Sequence, residues 1–142
     1  MCMKSAKPLW HYGAPRRIKA WSRRVEGRAI SHHNLANHLE HSGTPSALAE
    51  SSRHRLAALM YCLVAGLGQD IQTSLGNYAI AFRRAQAAGT PLTVPRVAEL
   101  LADPAFRPLA DWLRQHQADV AEVQAAVDEA LAMARQVALG PK

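Results

Sequence analysis

Apolar residues recur every third or fourth position along most of this chain, and they are mainly the types that favour helices. Alanine occurs 27 times and leucine 16 times, against eight valines, four isoleucines and four threonines. Alanine and leucine lose little conformational freedom on entering a helix, whereas β-branched side chains are stiff there and favour strands. Recurrence at i, i+3, i+4 and i+7 gathers apolar side chains on one helical face. The chain therefore reads as all-α: a helical hairpin array or small helical bundle with a long C-terminal helix. At 142 residues it falls in the single-domain range, where folding buries roughly 68–70% of the surface an unfolded chain exposes. An apolar fraction of 49% supplies such a core without disulfides or a structural metal.

Helix signals follow one another along the chain. Residues 1–14 mix proline, glycine and aromatics without periodicity. Pro15 suits a first helical turn and Gly27 an end, with Ile18, Trp21 and Val25 on one face between them. A second helix is predicted from Arg28 to His41, ended by Gly43. Thr44-Pro45 supplies the N-cap and first-turn proline of a third, extending to Leu67. A fourth runs to about Ala88, with Ile71, Leu75, Tyr78 and Phe82 as its stripe. Gly76 inside it marks either a close helix approach or a break. A proline-rich joint at 89–108 holds one short helix near Pro95–Ala102 and a new start at Asp103-Pro104. From Leu109 to Val137 the spacing predicts one long helix, with Gln115-His116-Gln117 as the place for a bend and His116 on the seam. Arg135 in its last turn complements the helix dipole.

The net charge of +6 is unevenly placed. Residues 1–28 carry eight basic side chains against Glu26, and the remainder of the chain is close to neutral. The chain accordingly divides into a basic arm with a short amphipathic helix (1–28) and one all-helical domain (29–142). Within the arm, Arg16, Arg17, Lys19, Arg23, Arg24 and Arg28 interleave with Trp10, Tyr12 and Trp21. Such a surface can track phosphates while aromatic rings stack on bases. The same face can instead dock on the bundle, enter a partner's groove or lie on an anionic membrane.

Asn34-Leu35-Ala36-Asn37, followed by Leu39 and then Gly43, resembles helix A and the inter-helix turn of a tetratricopeptide repeat. Ala47, Ala49 and Ala57 suit its closely packed helix B. The similarity covers Ala29–Val64, near the family's period of about 34 residues. His32 stands where the family has an aromatic, Leu39 where it has tyrosine, and helix B fits with a one-residue shift. The resemblance implies a scaffold that binds other proteins, with Asn34, Asn37, His38 and His41 as contact residues along helix A. A repeat cannot bury its own faces alone. Either residues 68–138 complete the packing, or the chain is the C-terminal fragment of a longer repeat protein.

No catalytic arrangement emerges from the residues. Carboxylates are scattered, no nucleophile sits in an activating motif, and Gly66-Leu67-Gly68 reads as a helix terminator rather than a phosphate loop. His38 and His41 stand at i, i+3 beside Glu40, which differs from the i, i+4 spacing of a helical zinc motif, so no metal or cofactor is expected. Cys2 and Cys62 lie too far apart in sequence for a zinc pair and form no disulfide framework. No signal-peptide pattern or membrane-length apolar run occurs, which makes the cytoplasm the default location. The expectation is a non-enzymatic protein–protein interaction module; the alternative is nucleic-acid binding through the arm.

Overall fold

Thr44-Pro45 starts the helix against which the remaining elements pack. The computed structural model describes residues 19–140, and no strand occurs among them. In α2 (Pro45–Ala65) the amide of Ala47 donates to Thr44 Oγ1 at 3.1 Å, and Pro45 occupies the first turn, where a missing N–H costs nothing. From Ser51 to Ala65 only Arg53 is exposed, with His54 and Val64 half-buried. Cys62 is buried there among Leu59, Met60 and Leu63. Gly66, at φ +71°, ends the helix, and Leu67 N–H returns to Cys62 O at 3.0 Å.

α1 (Lys19–Ser42) is one helix of 24 residues, so the predicted break at Gly27 does not occur. A glycine within a helix costs only about 1 kcal/mol relative to alanine. Val25, Ala29 and Ala36 carry a single buried stripe across that position, and its packing outweighs the local penalty. α1 and α2 run antiparallel, as their cross-helix partners show. Ser51 meets Ala36, His54 meets His32 and Tyr61 meets Arg28, one number rising as the other falls.

α3 (Gly68–Ala88) buries Ile71, Leu75, Tyr78 and Phe82, the stripe legible in its sequence. Gly76 is exposed inside this helix and a Cβ there would meet nothing, so it marks neither a break nor a close approach. Residues 90–96 are irregular and lead into α4 (Val97–Ala102) and a 3₁₀ turn (Pro104–Phe106), started by Asp103 Oδ1 accepting from Ala105 N–H at 3.0 Å. α5 (Arg107–Gln115) follows, with Pro108 in its first turn. α6 (Val120–Leu139) is a separate, long C-terminal helix.

The 109–137 stripe is thus divided between two helices. Asp119 caps α6 by accepting from Ala121 N–H at 3.1 Å, and Gln117 adopts φ +54° between them. The division lets α5 pack against α4 and the 3₁₀ turn while α6 packs on α3 and α2. His116 is consequently exposed rather than set in a seam, edge-on to Trp112 at 4.9 Å. Arg135 lies over the Phe82 ring at 4.7 Å instead of serving the helix terminus. No helix among the described residues is long and apolar enough to cross a membrane.

Ala126, Ala130 and Ala134 stack at i, i+4 and i+8 on the buried side of α6. Small side chains there permit close approach to the neighbouring helices. Ala130, fully buried, is expected to resist enlargement: Ala130→Leu should destabilise by about 1–3 kcal/mol in urea denaturation. An unchanged midpoint would mean that α6 packs loosely.

Candidate functional site

Among the described residues, Arg55 is the one charged side chain that the core nearly encloses, at 4% exposure. It lies one turn after Ser51 and Ser52 on the inner side of α2. A buried guanidinium needs a counter-ion and hydrogen-bond acceptors, and the C-terminal half of α1 provides them. Arg55 Nε and Nη2 donate to Glu40 Oε2 at 2.9 and 2.6 Å, and Nη2 also donates to Asn37 Oδ1 at 3.0 Å. Ser51 Oγ adds a bond to Glu40 Oε2 at 3.2 Å. Arg84 reaches the other carboxylate oxygen from α3 at 3.2 Å. One carboxylate thereby joins three helices.

This network borders a groove of about 580 Å³ between α2, the second half of α3 and residues 90–93. Leu48 and Ala49 form one wall, Ala81 and Ala85 the opposite one, and Pro91 and Leu92 a third. The irregular segment is held in place by Ser52 Oγ donating to Thr93 O at 2.6 Å. Arg55 and Tyr78 also line the groove. Tyr78 is 1% exposed, and burial pushes its phenol well above the ordinary range, partly opposed by the Arg55 charge. Arg55 Nη1 and the Tyr78 hydroxyl both lack a hydrogen-bond partner.

A layer of histidines adjoins the network. His33 Nε2 and Ser74 Oγ lie 2.8 Å apart, tying α1 to α3, while His33 Nδ1 has no partner. Burial and then the Arg55 charge lower the His33 pKa to about 4. His32 Nδ1 and His54 Nδ1 are 2.8 Å apart, a spacing that requires one imidazole to donate to the lone pair of the other. Burial, then the neighbouring His54 and His33, lower His32 to about 4. His54 is lowered by burial, with Glu50 and Asp103 acting in the opposite direction. His32 also stacks on Tyr61 at 6.0 Å and approaches Phe106 at 5.8 Å, so it packs as an aromatic ring.

Among known families, curated proteins and solved structures, none matches this chain. Of the four α1 residues expected to make contacts, Asn34, His38 and His41 are exposed and share one helical side with Ile30. Asn37, although exposed, engages Arg55 instead. Among the basic residues, Arg28 is exposed with its guanidinium 5.9 Å from the Tyr61 ring centre. Lys19, Arg23 and Arg24 fall on the first turns of α1, and Arg16 and Arg17 lie outside the described residues. The paired histidines are His32 and His54 rather than His38 and His41. Among the described residues, no three His, Cys, Asp or Glu side chains cluster as a metal ion requires.

Two outcomes follow from this arrangement. Glu40→Ala leaves the Arg55 charge buried and uncompensated, a loss of about 3–5 kcal/mol, whereas Arg84→Ala at the solvent edge should cost below about 1 kcal/mol. Similar losses in urea denaturation would contradict the network's polarity. The histidine layer makes stability acid-sensitive. His32 and His33 titrate near 6.5 when unfolded and near 4 when folded, so the unfolded chain binds more protons between those values. Stability is complete above about pH 6.5 and is lost as pH falls towards 4. Denaturation midpoints measured from pH 8 to 4 should show that decline, and His32→Phe should flatten part of it. A flat wild-type profile would exclude neutral, buried histidines.

Proposed function

We propose that this chain is a non-enzymatic protein–protein interaction module whose contact surface is the outer side of α1. The carrying observation is the stripe Ile30, Asn34, His38 and His41, at spacings of four, four and three, exposed along a helix that α2 braces. Ile30 is 50% exposed and Leu35, beside the stripe, 41%. Apolar side chains flanked by amides and imidazoles can exclude water while their polar neighbours set register. The antiparallel α1–α2 hairpin is also what the tetratricopeptide resemblance implies. On that reading the chain is the C-terminal part of a longer cytoplasmic scaffold.

The +7 balance of residues 1–28 favours a second reading, nucleic-acid binding through Arg16, Arg17, Lys19, Arg23, Arg24 and Arg28. Affinity capture from cells with wild-type protein and two variants separates the two. Ile30→Glu with His38→Glu should abolish partner retention, and glutamine at the six basic positions should preserve it. Loss of every partner only in the basic-residue variant, together with steeply salt-dependent binding of a duplex oligonucleotide, would replace the first reading with the second.

A further inference from the structure

The groove beside Arg55 holds unmet hydrogen-bonding capacity that the protein itself does not satisfy. Four polar side chains on its lining are more than nine-tenths buried; Ser51 and Ser52 are paired, whereas Arg55 on α2 and Tyr78 on α3 each keep one polar atom without a partner. Buried donors are normally paired, since an unpaired one retains its full desolvation cost. Two such donors at one groove, on different helices, are unusual. The charged side chains of the lining are Glu40, Arg55 and Arg84, a surplus of one positive charge. The rest of the lining is mostly apolar, apart from Ser51, Ser52, Thr90 and Thr93. Ala81, Ala85 and Ala88, at i, i+4 and i+7 on α3, leave a trough facing Leu48 and Leu92. A volume of about 580 Å³ lies within the range of small-molecule sites.

We propose that this groove binds a small amphipathic monocarboxylate, with its apolar tail along the alanine trough and its head group taking the free donors of Arg55 and Tyr78. A single negative charge balances the surplus that Glu40 leaves. A neutral head supplies acceptors but no charge, and a cation meets two guanidinium groups. The tail removes Leu48, nearly half exposed, from water. Tyr78 stays protonated at every physiological pH, so it remains a donor to an anion. This site is separate from the outer stripe of α1, and its occupation does not depend on the protein-interaction reading.

Octanoate, octanol and octylamine carry equal tails on different heads and serve as probes for calorimetric titration of the 142-residue chain. Saturable octanoate binding is expected, with octanol at least tenfold weaker and octylamine undetectable. Tyr78→Phe removes a hydroxyl that pairs with nothing in the free protein, so its melting temperature should not fall, yet octanoate affinity should drop about tenfold. Arg84→Gln at the exposed rim should weaken binding severalfold, and Leu48→Glu should abolish it. Val137→Glu, at an exposed position of α6 outside the groove lining, should change nothing. Equal affinity for octanol and octanoate would mean that water serves the two donors, and the proposal would fall. It would fall equally if no titration saturates, or if folded Tyr78→Phe and Arg84→Gln bind octanoate as wild type does.

Discussion

A guanidinium placed inside a helical core must be neutralised where it sits, and much of this structure follows from how Arg55 meets that requirement. Its position on α2 demands an acid from a neighbouring element. Glu40 supplies one from the last turns of α1, with Asn37 and Ser51 completing the shell. Those bonds set the register of the antiparallel pair. The same carboxylate reaches Arg84 on α3, so three helices converge on one charge. Hydrophobic burial drives the assembly, but it is non-directional and would tolerate sliding. The ion pair and the cross-helix histidine contacts are what select one alignment.

Much of the architecture is legible from residue spacing because the dominant force acts on spacing. The stripe Ile71, Leu75, Tyr78 and Phe82 identifies α3 and its buried side together, and Thr44-Pro45 marks the start of α2 through ordinary capping chemistry. Gly27 misleads because a local propensity of about 1 kcal/mol is outweighed by burial on both sides of it. The stripe from Leu109 to Val137 conceals a division for the opposite reason. Periodicity survives across 116–119, where Asp119 starts a new helix, although the two halves face different neighbours.

The groove was far less visible. Arg55 does stand out as a charge just before the apolar run of α2, and that contrast is a usable signal. Nothing local, however, ties it to Glu40 fifteen residues earlier or to Tyr78 on another helix. Tyr78 reads as ordinary core because its ring is core; only its unpaired hydroxyl is exceptional. His32 offers the converse. As a histidine it suggests ligation, whereas its ring contacts show an aromatic packing against Tyr61, Phe106 and His54. Sites assembled across helices depend on register, which pattern alone does not specify.

A double-mutant cycle between Glu40 and Arg55, using Glu40→Gln and Arg55→Met in urea denaturation, tests the organising role of that pair most directly. A coupling free energy of about 2–3 kcal/mol, near the upper end for residues in one buried network, is the predicted result. Additive single-mutant effects, with coupling near zero, would show that α1 and α2 are aligned by apolar packing alone.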